Sequence, residues 1–483
     1  MLLSLKLVPA GYTIAVGDNM TKQYDVIIVG GGPAGIFAAL EIAQTSSLTV
    51  LLLEKGRDID ARHCPSRNHT NSCISCAPCN VVCGLGGAGA FSDGKLTLSS
   101  QVGGHLKEYI GENAAEALIK YVDGVYLRFG APEKIFGTGD EVSKLAHRAA
   151  LAELSLVPVP IRHMGTEHSR QVLKAMRDFL SPRVTIRVNS TVTEIAAENG
   201  QITGIITENG GHINCRYLIL SPGREGAEWL MREAGRLKMT TSINPIDIGV
   251  RVEVPNAVMA ELSGALYEAK LEFISPHFDD RIRTFCMCPA GEVIMESTGG
   301  ADPVLTVNGH SYADSRTDNT NFAILASTTF TKPFHEPIAY GKYIARLANL
   351  LSGGVLVQRF GDLMHGQRST AARIERGLVR PTLTNAVAGD LSFVLPYRHL
   401  TGIIDMLHAV DKLAPGVASS QTLLYGVEVK FYSGRLKLTP NMETEIGNMF
   451  AAGDGAGVSR GLIQASASGV IAAREILKRE HKS

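Results

Sequence analysis

The chain has 483 residues, and its 47 basic side chains balance 47 acidic ones. No net field draws it to nucleic acid or to an acidic membrane surface, so neither is an expected partner. The length exceeds one compact core and suits two interleaved units, and a hydrophobic content of 45% with 19% charged residues is that of a cytoplasmic enzyme. Many of the fifty glycines gather in three short stretches, where close backbone approach is to be expected.

Residues 1–19 read as a disordered leader or an overlong start. Leu2, Leu3, Leu5 and Leu7 suggest a signal core, but Lys6 interrupts it and no basic segment precedes it. Tyr24 to Val29 is a β-branched apolar run of the kind a buried parallel strand requires. It leads into Gly30-Gly31-Gly32-Pro33-Ala34-Gly35, then a helical pattern from Ile36 to Ala43, a second strand from Thr49 to Leu53, and Glu54-Lys55. The glycines and Pro33 interrupt the apolar stretch from Val26 to Ala43, so it is read as strand, turn and helix and not as a membrane span. Gly30 permits the tight turn, Gly32 lets backbone approach a pyrophosphate, and Gly35 lets the helix close on the strand. The helix N-terminus, with Pro33 and Ala34 in its first turn, offers free N–H groups to phosphates. Glu54, with Lys55 beside it, stands where a carboxylate grips the ribose of an adenosine.

Five of the eight cysteines follow within 20 residues: Cys64, Cys73, Cys76, Cys79 and Cys83. The last four have the C-x2-C-x2-C-x3-C spacing of an iron–sulfur loop. In a cytoplasmic chain a metal or redox role is favoured over disulfides. Three readings stay open: a [4Fe–4S] cluster, structural zinc, or reduced and redox-active thiols. Gly84-Leu85-Gly86-Gly87-Ala88-Gly89 also spells a dinucleotide fingerprint, but no strand precedes it. It is similar instead to the second glycine loop that lies over the flavin in fumarate-reductase-like and hydroxylase-like flavoproteins. Ser92, Asp93, Gly94 and Lys95 follow, and Lys95 is the residue expected to stabilise charge at the flavin or on a substrate. His163, in a loop, is a further candidate proton donor or acceptor.

A meander-like stretch comes next, Val184 to Val192, Ile202 to Glu208 and Arg216 to Leu220, ending in Ser221-Pro222-Gly223-Arg224. Val192 and Gly223 are its expected cofactor contacts. The segment after it shows strand patterns at Ile246–Val254, Ala269–Ile274, Thr284–Met287 and Val427–Phe431, with helical stretches at Ala339–Leu351 and Leu400–Leu413. Arg251 is a candidate catalytic group there. Cys286 and Cys288 form a C-x-C on a strand, where simple alternation points both to one face. Cys215 reads as structural. Near the end, Met449 and Phe450 complete a short strand before Gly453-Asp454-Gly455-Ala456-Gly457, and Gly461, Leu462 and Ile463 open a helix reaching Lys478. Such an element closes the site of two-dinucleotide-domain flavoproteins: Asp454 takes a ribityl hydroxyl, and the helix dipole faces the pyrimidine end of the flavin. Three motifs in this order point to FAD, since a dehydrogenase using NAD alone has no use for the last.

These residues together resemble the uncharacterised FAD-dependent dehydrogenase family, of the glutathione-reductase-type superfamily that includes p-hydroxybenzoate hydroxylase and geranylgeranyl reductases. The resemblance spans nearly the whole chain after Met20. It rests on Cys64-Pro65, Cys73, Cys76, Cys79, the GGAGAFSDGKL stretch from Gly86 to Leu96, the IDIGVR stretch from Ile246 to Arg251, FCMCP at 285–289, Val307-Asn308-Gly309 and the stretch from Gly453 to Gly461. It implies Cys64, Cys73, Cys76 and Cys79 as the ligand set, with Cys83 as the alternative ligand. The expected fold class is α/β: a Rossmann-like FAD-binding domain at 20–240 and 440–483, with an inserted α+β substrate domain at 241–439. The expected function is FAD-dependent oxidation or double-bond reduction of a small organic substrate, with an electron donor or acceptor the sequence does not name. Two alternatives share these features: a flavin monooxygenase using NAD(P)H and oxygen, and a non-catalytic flavin/iron–sulfur redox sensor.

Overall fold

A computed structural model describes residues 23–65, 76–157, 159–242, 244–298, 303–311, 316–328, 330, 336–431 and 434–481. The leader and Cys73 lie outside these described residues.

Seven strands form the first sheet, in the order Thr185–Arg187, Val50–Leu53, Gln23–Val29, His212–Leu220, Gln201–Thr207 and Val192–Glu198, with Met449–Ala451 also paired to His212–Leu220. The four strands from Thr185–Arg187 to His212–Leu220 are mutually parallel, and Met449–Ala451 joins parallel to the last of them. The meander strands Gln201–Thr207 and Val192–Glu198 run antiparallel at the far edge. Val26, Ile27, Ile28, Leu51 and Leu52 are fully buried, as expected of central parallel strands covered on both faces. Helices Pro33–Thr45 and Leu462–Glu480 pack against each other so closely that a Cβ on Gly469 would lie 2.0 Å from the Ala34 carbonyl oxygen. The Ala465-Ser466-Ala467-Ser468-Gly469 run supplies the small side chains this approach needs.

The second sheet has eight strands, in the order Val387–Ala388, Leu356–Arg359, Leu423–Lys430, Ile246–Pro255, Asn319–Thr328, Arg281–Cys288, Leu271–Ile274 and Ser155–Leu156. All neighbours are antiparallel except the first pair. The strand Ile246–Pro255 shows why alternation matters here. Ile246, Ile248, Val250, Val252 and Val254 enter a core shared with Met259, Leu262, Ile344, Ile403, Met406, Leu407 and Val410 of the covering helices. Asp247, Arg251 and Glu253, on the other face, are equally buried. Charges at such depth require partners, and those partners build the site described below.

Two short antiparallel links tie the sheets together. Thr241–Ser242 pairs with Arg435–Leu436 where the chain leaves and re-enters the first sheet. Lys95–Thr97 pairs with Ile161–His163, placing Lys95 directly across from His163, so His163 lies at the end of a strand and not in a loop. Residues 140–156 depart from the sequence reading, which kept them with the first sheet. Val142, Leu145, Ala149, Leu154 and Leu156 pack into the second core, and Ser155–Leu156 is the last strand of the second sheet. The chain therefore visits the second sheet once before the long insert. Asn319–Thr328, Leu356–Arg359 and the hairpin of Glu292–Ser297 with Leu305–His310 are strands the sequence patterns did not mark. Among the described residues no helix is long and apolar enough to cross a membrane.

Candidate functional site

The first turn has the geometry its glycines require. Gly30 has φ of +107°, and a Cβ there would lie 2.1 Å from the Ser221 carbonyl oxygen of the crossing Ser221-Pro222 turn. A Cβ on Gly35 would lie 2.0 Å from the Gly30 carbonyl oxygen, so any side chain would push the helix off the turn. Gly32 is the N-cap of helix Pro33–Thr45, with no side chain capping its free N–H groups. Gly461 stands likewise before helix Leu462–Glu480, also without a side-chain cap. Ala34, Ala452 and Ala465 pack together between these two helix starts, and Gly453 (φ of +77°) lies against Ala34. Two uncapped positive helix ends thus converge behind small side chains, an arrangement suited to an extended anionic ligand.

Glu54 is a hub at this crevice. Its carboxylate accepts hydrogen bonds from the backbone N–H groups of Gly31 (2.8 Å), Gly56 (2.8 Å) and Gly84 (3.0 Å). The last bond draws in the second glycine loop, which folds into a 3-10 turn over Gly87–Phe91 and not into a strand–turn–helix unit. A Cβ on Gly87 would lie 2.9 Å from the Gly32 Cα, and one on Gly89 2.7 Å from the Leu462 side chain. The loop GGAGAFSDGKL therefore touches both helix starts. Ala88 and Gly86 lie within it, and Ser92 donates to the Gly89 carbonyl at 3.0 Å. The residue that holds this loop escaped the sequence reading. Arg62, 1% exposed, donates to the carbonyl oxygens of Asn80, Val81, Gly84, Leu85 and Gly87. Burial lowers its pKa to about 10, with Glu54 pulling the other way. An arginine six residues after a glycine carries no pattern that would have revealed this role.

The remaining expected contacts spread around the crevice. Lys55 pairs with Glu225 at its rim. Val192 is buried in the meander, and Gly223 (φ of +66°) turns so that Gly455 lies against its carbonyl. Asp454 accepts from Ser459 at 2.7 Å and pairs with Arg224 at 3.3 Å. Burial raises its pKa above the usual carboxylate value despite Arg224. Ile463 is buried in the first turn of the C-terminal helix.

A second constellation forms where the glycine loop meets the second sheet, and it gathers all three candidate catalytic residues. The Lys95 ammonium donates to the Met287 carbonyl at 2.6 Å and pairs with Asp93 at 2.9 Å and Glu268 at 3.4 Å. Burial alone would depress its pKa, but Asp93, Cys286 and Glu268 raise it well above the ordinary lysine value, so it stays charged. Burial likewise opposes ionisation of Asp93, yet Lys95 and His163 hold its pKa below the usual range. His163 shares a 2.7 Å hydrogen bond with the Tyr267 hydroxyl and stacks on that ring at 4.1 Å. Burial lowers the imidazole pKa to about 4, which leaves it neutral at pH 7.

Arg251 approaches the same strand from behind, fully buried. Its guanidinium donates to Asn321 at 2.8 Å, the Cys286 carbonyl at 2.6 Å and the Cys288 sulfur at 3.3 Å, and pairs with Glu428 at 3.3 Å. Gly309 leaves room for it: a Cβ there would lie 2.0 Å from Nη2. Protein partners thus surround the Arg251 guanidinium and tie it to the strand bearing Cys286 and Cys288. The C-x-C itself departs from simple alternation. The register shifts between Phe285 and Cys288, and Cys286 sits at φ of +46°. Tyr267, Glu268, Asn321 and Glu428 were not legible as site residues, because they come from one helix end and two strands far apart in the sequence.

Among the described residues, Asp93, Cys286 and Cys288 are the grouping of His, Cys, Asp or Glu whose donor atoms all lie within 4.8 Å of one another. Cys64, Cys76, Cys79 and Cys83 do not bring three donor atoms together in this way, and the fifth member, Cys73, lies outside the described residues. Cys83 is buried, and burial pushes its thiol pKa up to about 11.

Comparison with known proteins agrees with these two regions. Residues 25–62 match the family described as FAD binding domain, and residues 245–431 match the family described as FAD-dependent protein, C-terminal domain-like. An uncharacterized protein of Clostridium beijerinckii (strain ATCC 51743 / NCIMB 8052) is 28% identical over 480 residues, covering 94% of this chain and 80% of its own length. Among solved structures, glycine oxidase from Geobacillus kaustophilus is 14% identical with a TM-score of 0.40, covering 95% of both chains. L-proline dehydrogenase from P. horikoshii is 13% identical with a TM-score of 0.40, again covering 95% of both. Likenesses so remote carry no substrate to this chain.

Proposed function

For this chain, an FAD-dependent oxidoreductase with a Rossmann-type FAD-binding domain, we propose that a small organic molecule is oxidised or reduced beside the Asp93–Lys95 loop. One observation carries the reading: the loop bearing Asp93 and Lys95 packs on both uncapped helix starts, at Gly32 and Leu462. The free N–H groups after Gly32 would hold the pyrophosphate, and Glu54 would face the adenosine ribose. Asp454 and the Gly461–Ile463 helix start would hold the ribityl chain and the pyrimidine edge, with Gly86 to Gly89 covering the ring. Bound FAD supplies the two-electron chemistry.

The protein's own groups then set charge and protons. Lys95, kept charged by Asp93 and Glu268, stabilises negative charge developing on a substrate. His163 and Tyr267 share one hydrogen bond in which burial keeps the imidazole neutral and the phenol protonated, so the pair orients the Tyr267 hydroxyl as a hydrogen-bonding group near Lys95. For the cysteine loop, the spacing supports an iron–sulfur cluster that Cys64, Cys73, Cys76 and Cys79 would hold, with Cys83 as the alternative ligand and zinc as the other metal of that donor set; an iron–sulfur cluster would supply one-electron transfer.

The test is anaerobic purification followed by an absorbance spectrum and a flavin, iron, sulfide and zinc assay. Flavin near one per chain is the expected result. A protein that takes up no flavin under any reconstitution condition would end this reading, and absence of both metals would end the cluster reading alone.

A further inference from the structure

The geometry points to Cys286 and Cys288 as a redox-active dithiol/disulfide pair that exchanges with a small disulfide-bearing molecule, Cys286 attacking and Cys288 resolving. In a regular strand, residues two apart are separated by roughly 6.6 Å of rise. That separation sits near the upper Cα limit for a disulfide, about 6.8 Å. Here the register shift after Phe285 and the left-handed backbone at Cys286 kink the strand. The two sulfurs lie within 4.8 Å of each other. A non-glycine residue at φ of +46° carries strain, which persists only where the surroundings impose it. Lys95 on Met287 O and Arg251 on Cys286 O pin both carbonyls of the kink. Gly291 lets the following turn close on Cys288, since a Cβ there would lie 2.9 Å from the Cys288 Cβ.

The two sulfurs are not equivalent. Cys286 is half-buried and Cys288 fully buried, so an external disulfide meets Cys286 first. The Cys286 pKa is lowered: the neighbouring Cys288 thiol favours its thiolate, burial opposes this, and Lys95 and Arg251 reinforce it. The Cys288 thiol, which donates to the Cys286 carbonyl at 3.6 Å, is correspondingly raised. Thiolates of this kind occur in electropositive, partly exposed surroundings, whereas buried thiols in apolar ones are inert. Cys215 is of the second kind, its pKa pushed up to about 12 by burial. Asp93 completes a donor set that could hold a cation, but Lys95 already pairs with Asp93 and Arg251 already donates to the Cys288 sulfur, so the positive charge is supplied by protein.

In the exchange, the Cys286 thiolate attacks one sulfur of the small disulfide, whose S–S bond breaks and releases one thiolate. The released thiolate takes the Cys288 proton, and Cys288 then attacks Cys286 Sγ and expels the second half as a thiolate. One small disulfide is reduced to a thiol and a thiolate, which takes its proton from water, and the pair is oxidised to a disulfide, with atoms and electrons balanced. The step needs no flavin, so its outcome is separate from that of the flavin reading.

The experiment uses the full-length protein as purified, reduced, desalted without oxygen and exposed to 2-hydroxyethyl disulfide. Remaining thiols are alkylated with iodoacetamide, and the tryptic peptide Thr284–Arg316, whose only cysteines are Cys286 and Cys288, is weighed. The expected peptide is two hydrogens lighter and unalkylated, and dithiothreitol restores both alkylation sites. In Cys288→Ser the small thiol stays attached to Cys286, and in Cys286→Ser no adduct forms on Cys288. Lys95→Met slows alkylation of Cys286 about tenfold at pH 5, below the thiol pKa of about 6, where one pKa unit changes the thiolate fraction about tenfold. Two thiols still alkylated after the disulfide treatment of the wild type would overturn the proposal. So would protection lifted by a chelator and not by dithiothreitol, which would assign the pair to a metal.

Discussion

The parallel sheet presents functional groups at the carboxyl ends of its strands and the antiparallel sheet on one face, by opposite means. At the parallel sheet the backbone does the work: Gly30, Gly32 and Gly35 bring N–H groups into the open within six residues of chain. At the antiparallel sheet the side chains do it. Asp93, Lys95, Arg251, Glu268, Cys286, Cys288 and Glu428 come from segments hundreds of residues apart and are held by mutual charge. A backbone site tolerates no added atom, whereas a charge cluster tolerates no missing one. The contrast follows from close packing in the first case and desolvation in the second.

The largest expected effect breaks the first region. Gly35→Val places a side chain where a Cβ alone would lie 2.0 Å from the Gly30 carbonyl oxygen. It should cost the flavin and lower Tm by about 10 °C or more, read by thermal denaturation and the flavin-to-protein ratio. A valine that left both unchanged would show that the turn is not close-packed.

The next effect belongs to the second region. Arg251→Met leaves Glu428 buried with Lys430, at 2.9 Å, as its remaining partner. The loss should be about 3 kcal/mol, measured by urea unfolding, with flavin content preserved. Preserved flavin with lost stability would sharpen the comparison, because it separates a charge cluster that holds the strand from a turn that holds the cofactor.

The smallest effect is in pH dependence. The unfolded chain protonates His163 near pH 6.5, and the folded one, where burial opposes the charge, only near pH 4. The unfolded state therefore binds more protons between these values, so stability falls as pH drops through that window. Between pH 7 and 5 the wild type should lose about 1–2 kcal/mol more than His163→Gln, and equal slopes would remove His163 from the buried network.

How much was legible differs between the regions for the same reason. Tyr24 to Glu54 could be read because strand, turn and helix are written consecutively, each with its own period and glycine placement. The closing element at Gly453 to Ile463 was legible on the same grounds. The strands Asn319–Thr328 and Leu356–Arg359 were not marked, because buried central strands lose the alternation that advertises an edge. Lys95, His163 and Arg251 were singled out by residue type, but nothing in their spacing said that they meet around one C-x-C. The kink at Cys286 was misread as regular alternation, since a register shift leaves no trace in residue order.

By itself, then, the sequence determined the order of the elements and the backbone-made crevice, where local conformation alone decides what can be bound. Only the tertiary structure decided which charges are neutralised, which thiol is exposed, that Arg62 holds the glycine loop, and that residues 140–156 join the second sheet. Those outcomes depend on burial and on distances between remote segments, and neither quantity is a property of neighbouring residues.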